Sequence, residues 1–228
     1  MNTSELLRPG LLEGVSVVLA RAPDGANGGG VDRSLAGEAG SACAGLGAVV
    51  RELSLAGAAP DGGGELELGE AVERLLVDVR GDLEVLVVDG SGLFAHALAS
   101  AGSDEDSEPA RAALRVCLDA SWSATHALVN QAFLPGGRGG RIIYLTPGAD
   151  AGVHAGAALS GLENLARTLS IEWARHGITT VAVAPPSGSA SEVAAAVAAL
   201  TAYLASPAGA YFSGCLLDLR GLTPAPHS

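Results

Sequence analysis

Six short, unbroken apolar runs set at intervals along the chain constrain its fold more than any other feature. They are Val15–Ala20, Ala48–Leu53, Leu83–Asp89, Arg141–Thr146, Thr179–Ala184 and Gly214–Leu219. Each is short enough for a strand and too continuous for one that meets water on one face, so burial on both faces is expected. Stretches with helical periodicity lie between them. Alternation of this kind specifies a mostly parallel sheet wrapped by helices, a single doubly wound α/β domain with six or seven strands. The seventh strand is a weak candidate near Glu65–Leu68.

Two helices are strongly patterned. Ser107 and Pro109 open one that runs to about Phe133, with Leu118, Trp122, Val129 and Phe133 on one side. The other covers roughly Gly156–His176 and carries Leu159, Leu162, Ala166, Leu169 and Trp173 at spacings of three and four. Gly177 is its stop signal. A third, Ser191–Leu204, opens on a Ser-Glu pair and is rich in alanine. Ala22–Gly30, Ala56–Gly64 and Gly102–Glu108 read as loops. Residues 1–222 are expected to form the domain and 223–228 a loose tail.

Composition removes several classes of function. With 48% hydrophobic and 17% charged residues the chain can build a large core. Its net charge of −12 opposes a phosphate backbone or an anionic bilayer, so neither nucleic acid nor membrane is an expected partner. No apolar run approaches the roughly 18 residues of a membrane span, and the N-terminus has no basic region followed by an apolar one. Cys43, Cys117 and Cys215 are odd in number and widely spaced, which points to reduced thiols and a cytoplasmic setting. No metal site is expected, since His126 has neither Asp119 nor His96 at a helical ligand spacing.

From Gly140 onward the order of residues resembles the short-chain dehydrogenase/reductase family. GRIIYLT is similar to its fifth strand, GLENLARTLSIEWARHGITTVAVAP to its active-site helix and sixth strand, and EVAAAVAALTAYLASPAGAYFSGCLLDLRG to its closing segment. LEVLVVDGSG and VCLDASWSATHA extend the likeness upstream at lower identity, and the first eighty residues match only in outline. The resemblance implies a Rossmann fold and an oxidoreductase frame. It also places the family's four catalytic side chains on this sequence. The tyrosine falls on Ala155, the lysine on Leu159, the serine on Pro147 beside Thr146, and the helix asparagine on Cys117. A methyl group exchanges no proton, and a leucine lowers no neighbour's pKa. No residue of this chain is therefore assigned a catalytic role.

The cofactor side departs from the pattern too. Strand VSVVLA runs into ARAPDGANGGG, which has glycines without the spacing that lets a phosphate approach a helix N-terminus. Asp89-Gly90-Ser91-Gly92 replaces the family's Asn-Asn-Ala-Gly, setting a carboxylate near the adenosine half of a dinucleotide. Pro185-Pro186 reaches the next helix through SGSA alone, without the family's substrate lid. No cofactor-binding residue is assigned and no cofactor is expected, although weak NAD(P) binding is left open. The expected function is a non-catalytic subunit associated with an active member of the family, or with itself. Leu118, Trp122, Leu162, Leu169 and Trp173, on helices the family uses for subunit contacts, are the candidate partner-facing residues. The alternative is an oxidoreductase with a relocated site built from Tyr144, Thr146 and His154.

Overall fold

The computed structural model describes residues 7–23, 34–55, 64–78, 82–100 and 107–221. Its strands are β1 (Ser16–Arg21), β2 (Val49–Ser54), β3 (Val85–Asp89), β4 (Gly140–Leu145), β5 (Ile178–Ala184) and β6 (Cys215–Asp218). The helices are α1 (Leu35–Gly45), α2 (Gly64–Asp78), α3 (Gly90–Ser100), α4 (Ser107–Leu128), α5 (Ala155–Glu172) and α6 (Ala190–Ala205). All strand pairs are parallel, in the order β2-β1-β3-β4-β5-β6. The order reverses between β1 and β3, which creates a topological switch point at the carboxyl ends of those strands.

Alternation along the strands builds two cores. Val18, Leu86, Ile142, Tyr144 and Ala182 face one side, where α2, α3, α4 and α5 cover them. Val17, Leu19, Val85, Val87, Ile143 and Val183 face the other, against α1 and α6. β1, β3, β4 and β5 are buried on both faces, as unbroken apolar runs require. The outer strands correct that expectation. Val49 is 44% exposed in β2, and Leu216 and Leu217 in β6 are only half-buried. Each has a neighbour on one side only, so hydrophobic side chains there receive less cover.

The weak strand at Glu65–Leu68 is the first turn of α2. Glu65, Leu68, Val72 and Leu75 have the 3–4 spacing of a helix, and the last three are buried against the sheet. The sheet therefore has six strands among the described residues. The expected loops fall largely outside the described residues, as does the tail.

α4 does not keep one face through Phe133. After Leu128 the chain widens into a π turn over Val129–Phe133, with the Leu134 N–H reaching the Val129 carbonyl. Pro135 follows and has no N–H to give to an α-helical bond; a widened turn relieves the clash of its ring with the preceding carbonyls. Val129 and Phe133 are buried while Trp122 is 42% exposed. α5 ends in a 3-10 turn, Ala174–His176, closed by Gly177 at φ 69°. Gly177 lies beside Gly139, where a Cβ would come 2.4 Å from the Gly177 carbonyl oxygen, so β4 and β5 start side by side only because Gly139 is glycine. α6 is capped by Ser189 and Glu192 in a capping box and starts at Ala190, one residue before the expected Ser191.

Candidate functional site

The carboxyl ends of β1, β3, β4 and β5 form the edge where a doubly wound sheet binds its ligand. At the end of β3, the Asp89 carboxylate is buried and its Oδ1 accepts the Gly92 N–H at 2.9 Å. It caps α3, satisfying one of the donors a helix start leaves open. The helix begins at Gly90, where a Cβ would lie 2.4 Å from Leu162 Cδ1 and 2.9 Å from the Leu145 carbonyl oxygen. β4, α3 and α5 therefore meet at Gly90 with no room for a side chain. Cys117 reaches the same point from α4, its thiol donating to the Gly90 carbonyl at 3.3 Å. Burial, with the Asp89 charge second, pushes that thiol up to about 12.

The remaining positions matched to the family's catalytic side chains are packed as well. Ala155 and Leu159 lie on the first turns of α5, both buried. Pro147 is buried, and Thr146 donates its hydroxyl to the Val183 carbonyl at 3.1 Å. Between them, His154 is the one non-glycine residue with positive φ among those described (67°) and precedes α5 without a side-chain cap. Its Nε2 is buried with no hydrogen-bond partner. The loop that carries it packs through Gly152 against Leu98 and Phe94 of α3.

Tyr144, Thr146 and His154 do not converge on one another through hydrogen bonds. The Tyr144 hydroxyl pairs at 3.0 Å with Thr125, whose own hydroxyl donates to the Ser121 carbonyl at 2.7 Å. Burial raises the Tyr144 phenol, and the Thr125 contact only partly offsets it. Among the described residues no group of three or more His, Cys, Asp and Glu is placed to hold a metal ion. None of the described helices is long and apolar enough to cross a membrane. All three cysteines are free.

The five candidate partner-facing residues separate into two groups. Leu162 and Leu169 are buried in this chain's own core, because they sit on the sheet side of α5. Leu118 and Trp173 are half-buried, and Trp122 points outward with its ring 5.2 Å from that of His126. At the opposite edge of the sheet a small cavity of about 60 Å³ is lined by Asp82, Glu84, Phe133, Arg138 and Arg141. Arg138 is paired with Asp82, while Arg141 Nε is buried without a partner, and burial lowers that guanidinium's pKa against the pull of Glu84. No periodicity or spacing in the sequence marks this cavity; it arises from where the π turn meets the start of β4.

No family model matches the chain, and no curated protein matches it in sequence. Its likeness is structural. A citronellol catabolism dehydrogenase of Pseudomonas aeruginosa PAO1 is 26% identical, with a TM-score of 0.61 over 92% of this chain and 95% of that one. A short chain dehydrogenase from Mycobacterium smegmatis is 24% identical, with a TM-score of 0.64 over 96% and 100%. An angucycline C-6 ketoreductase solved with bound NADP is 18% identical, with a TM-score of 0.66 over 92% and 96%. The chain thus has the fold of the short-chain dehydrogenase/reductase oxidoreductases, in agreement with the resemblance of its sequence from Gly140 onward.

Proposed function

We propose that this protein is a non-catalytic subunit of short-chain dehydrogenase/reductase type, which associates with an active subunit of that fold in a hetero-oligomer. The observation that carries this reading is the packing of Ala155, Leu159 and Cys117. All three are buried against neighbours, and the first two have no group able to move a proton. Its contribution would be physical, covering an active subunit's apolar helices and holding its pocket in shape.

The cofactor edge supports the same reading. Asp89 is engaged in capping α3 and contributes negative charge where a dinucleotide would pass. The glycine-rich turn after β1 lies outside the described residues, and no residue of this chain is assigned to hold NAD(P). The ketoreductase with bound NADP keeps weak NAD(P) binding as the alternative to test, together with an oxidoreductase site relocated to His154. What favours that second reading is the left-handed His154, with its unpartnered Nε2 next to Ala155.

Co-expression with an intact Tyr-three residues-Lys relative encoded nearby, followed by native mass spectrometry, tests the proposal. A mixed complex is expected, with NADPH fluorescence unchanged by this chain alone. A chain that ignores that relative and turns over substrate by itself would sink the subunit reading.

A further inference from the structure

The cavity of about 60 Å³ where β3 and β4 begin combines an apolar lining with four charges. Leu83, Ala132 and Phe133 supply the apolar part, and all three are buried. Phe133 ends the π turn, and its ring takes the room of a side chain at position 140: a Cβ on Gly140 would come 2.8 Å from Phe133 Cδ1. At about 10–15 Å³ for each water-sized group, the cavity holds roughly four to six of them.

The charges at this cavity are unequally committed. Arg138 is paired with Asp82, and both side chains are mostly exposed, at 71% and 60%. Arg141 is half-buried, its Nε is buried without an acceptor, and no ion pair reaches it among the described residues. Glu84 is exposed and acts on Arg141 only through space. A guanidinium withdrawn from water is unfavourable until an oxyanion meets it, and a carboxylate does so with two parallel hydrogen bonds.

We propose that this cavity binds a short-chain monocarboxylate, with its carboxylate on the Arg141 guanidinium and its alkyl end against Leu83 and Phe133. The long stem of Arg141 lets the Nε–H edge turn to the incoming carboxylate, so the orphaned donor gains its acceptor on binding. Asp82 and Glu84 set the charge of the ligand, because two neighbouring carboxylates repel a dianion such as phosphate more than a monoanion. The volume sets its length at about two to four carbons. The site lies at the amino ends of the strands, away from the carboxyl-end edge where a doubly wound sheet takes its ligand, and stands independently of the subunit reading.

Thermal melting and saturation-transfer NMR of the full chain in sodium propionate test the proposal, against sodium chloride at matched ionic strength. A melting temperature that rises to saturation, with magnetisation transferred to the propionate methyl, is expected. Arg141→Met keeps the apolar stem and removes the fork, so it should raise the dissociation constant about tenfold or more. Without propionate it should melt no lower than the unaltered chain, since it gives up no partner within the chain. Glu84→Gln should tighten binding about two- to fivefold by removing a repelling charge, a direction that misfolding cannot imitate. A rise no larger than that in chloride, phosphate bound more tightly than propionate, or Arg141→Met binding as well as the unaltered chain would each overturn the proposal. So would an Arg141→Met chain that melts well below the unaltered one without propionate, because Arg141 would then already have its partner inside the protein.

Discussion

The thiol of Cys117 and the carbonyl of Gly90 are joined at 3.3 Å across the junction of β3, α3 and α4. Through this contact α4 is fixed to the switch-point edge of the sheet. Cys43 is equally deep on the other face, and burial sets its thiol at about 12 as well. Cys215, on the outer strand, is half-buried, and Arg167 partly opposes the upward push of burial on it. A disulfide reagent added to the native protein should therefore modify Cys215 first, and reach all three thiols only on unfolding. Fast modification of Cys117 in the folded state would contradict this packing.

The two buried thiols also set an alkaline limit. Their pKa values in the folded chain, about 12, lie above the ordinary 9.0, so the stability they favour is complete below pH 9 and is lost as pH rises toward 12. The buried Tyr144 phenol acts in the same direction. Melting temperatures measured across this window should fall progressively, and Cys43→Ala should make the fall shallower.

Gly90→Ala should cost about 1–3 kcal/mol, since its Cβ would press on the backbone oxygen of Leu145 as well as on Leu162. Gly156→Ala is the matched control. It lies on α5 with nothing within 4 Å of a new Cβ, so it should stabilise by about 0.5–1 kcal/mol. Urea denaturation of both variants decides the point; equal effects would contradict the contact at Gly90.

The Tyr144–Thr125 pair predicts an asymmetry. Tyr144→Phe removes one donor and leaves Thr125 bonded to Ser121, for a loss of about 0.5–1.5 kcal/mol. Thr125→Val strands the phenol inside the core and should cost more, about 1–3 kcal/mol. Chemical denaturation should order the two variants in that way.

Much of the architecture was legible because burial on both faces leaves an unbroken apolar run: Val85–Asp89 and Ile178–Ala184 could hardly be anything but central strands. The outer strands were recognised as strands, but their exposure was not, since Val49 and Leu216 are apolar wherever they lie. Glu65–Leu68 misled because four residues of alternating character fit a strand as well as a helical turn; only Val72 and Leu75 beyond them reveal the longer period. The site divides similarly. That Ala155 and Leu159 carry no acid or base is visible from residue type alone. That Leu162 and Leu169 face inward while Trp122 faces outward depends on how α4 and α5 roll on the sheet, which a periodicity shared by both faces does not fix. The left-handed turn at His154 had no signal, because glycine or asparagine is the usual marker of such a backbone.

The exposure of β2 has a consequence for how the protein behaves in concentrated solution. As the outermost strand among the described residues, it offers unpaired backbone groups on which a strand of another molecule can add. Arg51 and Glu52 stand exposed in its middle, and Glu52 is held there by Arg21 from β1. An incoming strand would have to desolvate those charges, so they act as gatekeepers. Replacing both with valine is expected to open this edge to strand addition.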